Sequence, residues 1–212
     1  MFLFADIGIS TLYPLFVSSL VFQAVKLNPC FIERGESSSF NNLGKSVSDT
    51  EKSLGIDLAS KSDFPFINDI DKFNYIYEPA KTVEIDGVNV PRWLIICHTD
   101  SAEVMQRVSY YDCTLLKKNS HGVKKSGKVN GAAVATGMTR KQAEKTINLE
   151  PFVIANYADG TQIRKYKYHY NDKATKNDTS YYLTIMFDKD GKVSAPVIEK
   201  ENVFITDILT CE

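Results

Sequence analysis

The stretch Ala133–Asn148, AVATGMTRKQAEKTIN, reads as one short capped helix. Thr139 and Gln142 stand three apart, the N-cap and N3 positions of a capping box. There each side chain satisfies a backbone N–H that has no partner within the helix. Met138 and Ala143 take the N′ and N4 positions of a hydrophobic staple. Ala143 and Ile147 are four apart and share one face. Gly137 supplies a tight turn before the cap, and Asn148 suits a left-handed residue after the last turn. The stretch carries no phosphate-binding loop and no nucleophile or metal-ligand pattern. It marks architecture rather than chemistry.

A second copy lies 93 residues earlier, in Leu43–Leu58, LGKSVSDTEKSLGIDL. Gly44 falls on Gly137, Ser46 on Thr139, Asp49 on Gln142, Leu54 on Ile147 and Gly55 on Asn148. Ser46 with Asp49 is again a cap with an acceptor at N3, and Gly55 again ends the helix. Lys45 in place of Met138 removes the staple. At the same offset the alternating run Phe73-x-Tyr75-x-Tyr77 falls on Tyr166-x-Tyr168-x-Tyr170, both of them strand patterns with one aromatic face. At an offset of 89, Trp93-Leu94-Ile95-Ile96-Cys97-His98 falls on Tyr182-Leu183-Thr184-Ile185-Met186-Phe187, and Val104 on Val193. Asp190-Gly191 is a hairpin signal in the second copy.

Three blocks in one order predict an internal duplication. The expected fold is α+β: two tandem repeats, each a short helix or helix pair packed on an antiparallel sheet of three to four strands. An apolar N-terminal segment precedes them. The expected boundaries are 1–30 for that segment, 31–115 for the first repeat, 116–131 for a linker and 132–212 for the second repeat.

Composition agrees with a soluble, strand-rich protein. Of 212 residues, 43% are hydrophobic and 24% charged, enough for an ordinary core. Eleven Tyr and twelve Phe against one Trp favour strands over helices. The formal net charge of −1 gives no global pull toward nucleic acid or an anionic membrane. The linker gathers Lys117, Lys118, Lys124, Lys125 and Lys128, but without interleaved aromatic residues it reads as a solvated connection rather than a nucleic-acid site. Cys30, Cys97, Cys113 and Cys211 show no metal or redox spacing. Free thiols and two disulfides both remain open. Cys97 with Cys113 is the favoured pair, because two consecutive antiparallel strands bring them together.

From Ile7 to Val25 run 19 uncharged residues, at the lower edge of a membrane span. A signal anchor, a cleaved signal peptide ending near Val17-Ser18-Ser19 and a buried element of the fold stay open for this segment. The first positive residues, Lys26 and Arg34, come after it, so topology stays open as well. Membrane attachment, if any, falls to residues 1–26.

The run Gly137-Met138-Thr139-Arg140-x-Gln142, then an aromatic strand, then Phe187-Asp188-x-Asp190-Gly191-Lys192-Val193, resembles the BamE/SmpA-OmlA superfamily of small bacterial envelope modules. Two copies in tandem resemble the architecture of the β-lactamase inhibitory proteins. The match covers roughly Val134 to Val197 well and the first copy in outline. The resemblance implies an extracytoplasmic location, in the periplasm or cell envelope, and no catalytic residue.

Catalysis is not expected from the residues either. His98, His121 and His169 are scattered, no Ser or Cys sits in a nucleophile elbow, and no glycine run cradles phosphate. No metal or cofactor is called for. The expected function is binding of another protein (a secreted toxin, an enzyme or an envelope component) by an inhibitor or immunity-type protein that uses the open face of its sheets. The alternative is a membrane-anchored scaffold of an envelope assembly complex. Trp93 and Tyr182 are expected on the open face, and Tyr75, Tyr77, Tyr166, Tyr168 and Tyr170 join them as candidate contact residues, since aromatic side chains bury large area at low entropy cost. If the tyrosines of the second run face inward, Lys165, Lys167 and His169 form an outward basic stripe suited to an acidic partner.

Overall fold

The runs that follow each capped helix are strands, and most of them pair into one sheet that runs through both halves. The structure, a computed structural model, describes residues 43–54, 74–77, 81–117 and 127–203; the side chains of residues 51, 53, 54 and 74–77 lie outside that description. The elements are helix α1 (Val47–Leu54), strands β1 (Asn74–Tyr77), β2 (Thr82–Ile85), β3 (Val88–Pro91), β4 (Trp93–Thr99) and β5 (Met105–Asp112), 3-10 turns at Cys113–Leu116 and Gly131–Ala133, helix α2 (Arg140–Ile147), and strands β6 (Pro151–Tyr157), β7 (Gln162–Asp172), β8 (Asn177–Phe187) and β9 (Ile198–Glu201). Seven strands form one antiparallel sheet in the order β1-β4-β5-β6-β7-β8-β9, and β2 pairs with β3 in a separate hairpin.

The expected α+β tandem of two helix-on-sheet repeats is therefore wrong: the protein is mostly β. Strand β5 pairs with β6 from Arg107↔Tyr157 to Tyr111↔Val153, so what would have been two sheets is one. The reason is physical. A small sheet ending at β5 would leave a row of unpaired backbone groups, and the next strand in the chain satisfies them. Each helix has only eight residues, about 12 Å of length, too little to define a layer of its own. The segment 1–30 and most of the 116–131 linker lie outside the described residues. Among the described residues no helix is long and apolar enough to cross a membrane.

Both helices pack on the same face. Antiparallel partners share a face, and the pairs Ile95↔Tyr110, Tyr110↔Ile154 and Ile154↔Arg164 carry one face across the sheet from α1 to α2. Under α1 lie Val47, Ile95, Cys97, Met105 and Val108. Under α2 lie Ala143, Ile147, Tyr166, Tyr168, Leu183, Ile185 and Phe187. Arg164, on the same side, is buried and ion-paired to Glu144 of α2. The opposite face, over which neither α1 nor α2 packs, meets the β2–β3 hairpin.

What does repeat is the way each helix starts. Thr139 closes the capping box with Gln142, its own N–H donating to Gln142 Oε1 at 2.9 Å. Ser46 Oγ accepts from the Asp49 N–H at 3.1 Å. Gly44 and Gly137 both hold positive φ, +78° and +87°, which a side chain would strain. Gly44 N–H donates to Met105 C=O at 2.9 Å, and Gly137 N–H to Val193 C=O at 2.8 Å. Val47 N–H donates to Glu103 C=O, and Arg140 N–H to Gly191 C=O. Asp100 Oδ1 accepts from Ala102 and Val104, and Asp188 Oδ1 from Asp190 and Lys192. Each helix start is thus clamped to the turn after β4 or β8. The clamp pairs Met105, not Val104, with Val193, so the later offset is 88 rather than 89. That one-residue change moves every side chain of the block to the other face.

Candidate functional site

The helix-free face divides into a covered and an uncovered part. Val83, Ile85 and Val90 of the hairpin pack on Leu94, Ile96, Tyr111, Phe152, Val153 and Tyr182, together with Cys113 and Leu116 of the 3-10 turn. Phe152 meets Tyr182 edge-on at 6.1 Å between centroids. Lys167 is buried in this region, its ammonium donating to the Leu116 carbonyl and lying 5.6 Å from the Tyr182 ring centroid. Burial pushes its pKa down, and the charge of Asp86 in the hairpin turn opposes that shift.

Beyond the hairpin the face is open. The pairings Ala155↔Ile163↔Met186 and Lys165↔Thr184↔Ile198 set a strip of apolar and cationic residues across β6 to β9. Ile163 and Met186 are half-buried. Ile198, 44% exposed, is the large hydrophobic residue left most open among the described residues. Lys200 pairs with Tyr182 and shares this face, as does Arg107, whose guanidinium lies 6.0 Å from the Tyr157 ring centroid. Burial, then the positive charges of Lys200 and Arg107, push the Lys165 pKa below its ordinary value.

The aromatic residues singled out in the sequence lie elsewhere. Trp93 is half-buried in the cluster under α1, whereas Tyr182 is buried on the hairpin side, so the two occupy opposite faces. Tyr166 and Tyr168 are fully buried under α2, Tyr168 stacked on Tyr181 at 5.0 Å, and Tyr170 is half-buried at the edge of that cluster. Tyr75 and Tyr77 belong to β1, and their side chains fall outside the described residues. The expected basic stripe does share one face, but Lys167 and His169 are buried and only Lys165 borders the open part. The expected bridge between Cys97 and Cys113 is not formed. Both thiols are free and buried, in clusters on opposite faces of the sheet. The register explains this: Cys97 pairs with Val108, while Cys113 lies past the end of β5.

One grouping has the residue types of a hydrolytic relay. His169 Nδ1 lies 3.2 Å from Ser180 Oγ and 4.0 Å from Asp178 Oδ1. A relay needs the nucleophile and the orienting carboxylate on opposite ring nitrogens; here both face Nδ1, so the group is arranged for packing. No cluster of three or more metal-ligating side chains occurs among the described residues. An open cleft of about 650 Å³ beside Gly131, Val134 and Val197 is crossed by the Lys128–Glu199 ion pair at 3.0 Å.

Of the open strip, Lys165 alone was visible in the sequence, through the alternation of Arg164–Tyr170. Arg107 and Lys200 come from distant strands and reach it only through the register. No protein-family model matches the chain, and no curated protein matches it.

Proposed function

We propose that this chain is a non-catalytic, extracytoplasmic protein-binding protein of the inhibitor or immunity type, and that it engages its partner through the hairpin-free part of the sheet. One observation carries this reading: the strip of Ile163, Met186 and Ile198 that no described element covers. Exposed apolar residues gathered in one place and rimmed by charge mark interaction sites in soluble proteins. A rigid sheet also presents such a strip without loss of backbone entropy on binding. The apolar segment before Lys26, and the resemblance of the second helix start to envelope modules, support the location.

The test is a pull-down from the native host with the full chain and with Ile198→Asp as baits, read by mass spectrometry. Ile198 is exposed, so the substitution leaves the fold intact. A partner retained by the unaltered chain and lost with Ile198→Asp is the expected result. Retention by both baits refutes this face. Membrane fractionation that depends on residues 1–26, without any soluble partner, favours the envelope scaffold instead.

A further inference from the structure

We infer that the partner engaged through this strip is an acidic protein segment, whose carboxylates are received by Lys165 and Lys200 with Arg107 beside them. The inference rests on the binding reading above and adds the chemistry of the partner.

The argument starts from two lysines of one strand. Lys167 is buried and Lys165 half-buried, and both point to the same face. Lys167 is compensated there by the Leu116 carbonyl, the Tyr182 ring and the field of Asp86. Lys165 has none of these. Among the described residues neither Lys165 nor Lys200 has an ion-pair partner, and the two charges that act on Lys165 are both positive. Desolvating a cation among like charges opposes folding. A sequence whose other choices agree with its fold carries such a conflict where a ligand relieves it.

The surroundings decide which anion. In the row beside Lys165 lie Ile163 and Met186, and Ile198 shares the row of Lys165, rather than exposed rings or further lysines. A nucleic-acid backbone requires stacking platforms or a continuous basic track, and the strip offers neither. An anionic membrane surface attracts a polybasic cluster rather than three cations around an apolar centre. Acidic side chains flanking one apolar side chain fit the pattern, with the apolar group on Ile198 and Met186 and the carboxylates at the rim.

The experiment uses fluorescence anisotropy with a labelled peptide in which Glu and Asp flank a central Leu. Its controls are the same peptide with Gln and Asn, a heparin fragment, and vesicles containing phosphatidylglycerol. The proteins are the full chain, K200Q and K165Q/K200Q. The acidic peptide should bind, should weaken steeply from 50 to 500 mM salt as screening shortens the reach of each charge, and should lose roughly tenfold in affinity for each lysine removed. The amide peptide should not bind. The thermal midpoint of K165Q/K200Q should not fall, since like-charge repulsion is removed. Equal binding of the acidic peptide by the double variant, or no binding of it at all, overturns the inference. Tighter binding of heparin or vesicles, lost in the double variant, overturns it too and assigns the face to a polyanion. The protein-binding reading is judged separately by repeating the pull-down with Ile198→Asn, which removes the apolar contact and leaves the charges of the cluster unchanged, whereas Asp at that position would itself pair with the lysines.

Discussion

Raising the pH should destabilise this protein by way of its two buried thiols. Cys97 and Cys113 are 3% and 0% exposed. Burial pushes the Cys97 thiol up from 9.0 to about 12. Burial, then the neighbouring Asp112 carboxylate, pushes Cys113 up as well. In the unfolded chain both ionise near their ordinary value. Above pH ~9 the unfolded state therefore binds fewer protons than the folded one, and stability falls as pH rises. Each thiol held protonated costs up to about 1.4 kcal/mol per pH unit once its unfolded counterpart is ionised; starting from half-ionisation at pH 9, the pair removes about 2 kcal/mol between pH 9 and pH 10. Against a typical stability of roughly 5–15 kcal/mol that is a large share. With a urea slope of about 2 kcal/mol/M the midpoint should drop by about 1 M. The assay is urea denaturation under reductant at pH 7, 8, 9 and 10, on the unaltered chain and on C97A/C113A. The double variant starts lower, because alanine leaves a cavity, but the slope with pH is what counts. Burial pushes Lys165 and Lys167 down, so their protonated forms destabilise the fold below the ordinary lysine range, and that penalty lifts as pH rises. The variant should hold its stability, or gain a little, until about pH 10. Above that, Tyr166, Tyr168 and Tyr182, all pushed up by burial, bring the loss in both proteins. An equal fall between pH 9 and 10 in both proteins, or no fall in the unaltered chain, refutes the reasoning.

Three substitutions test the fold itself by urea midpoint at neutral pH. Glu144→Ala leaves the buried Arg164 cation without its partner and should cost about 2 kcal/mol, less than a fully buried pair because Glu144 is about a third exposed; adding Arg164→Met should recover most of it. Thr139→Ala removes the cap of α2 and should cost about 1 kcal/mol, and a change under about 0.3 kcal/mol would show that the clamp to Val193 holds the helix start alone. Gly137→Ala forces a side chain into the left-handed region and should cost about 1–2 kcal/mol.

Local chemistry was legible in the sequence wherever it is set by neighbours along the chain. The capping box of Thr139 and Gln142, the left-handed Asn148 and the packing of Ala143 and Ile147 all stand in the structure. So do the two helices at a spacing of 93 residues, Val47–Leu54 and Arg140–Ile147. The strand patterns were legible too, but not which strands would meet. The pairing of β5 with β6 is a contact between two halves read as separate, and it turns the expected α+β tandem into one large sheet. The facing of β4 was misjudged for a related reason. Leu94, Ile95, Ile96 and Cys97 are all buried, since helix α1 covers one side and the hairpin the other. A strand buried on both faces shows no alternation from which an open side could be read. Cation placement was legible least, because Arg107, Lys165 and Lys200 converge only through the register of five strands.

The asymmetry between the halves explains where the open face lies. Between β7 and β8 the chain turns in the four residues 173–176, whereas between β1 and β4 it carries the whole β2–β3 hairpin. The hairpin folds back over the helix-free face and seals Leu94, Ile96 and Tyr111. The tight turn offers nothing comparable, so among the described residues the part of this face around Ile163, Met186 and Ile198 stays uncovered. There the sequence departs from the simple alternation that a sealed core requires. Lys165 is half-buried there, and Ile198 remains exposed on the last strand. An apolar strip sealed by the hairpin in one half and bordered by cations in the other is the contrast on which the proposed partner surface rests.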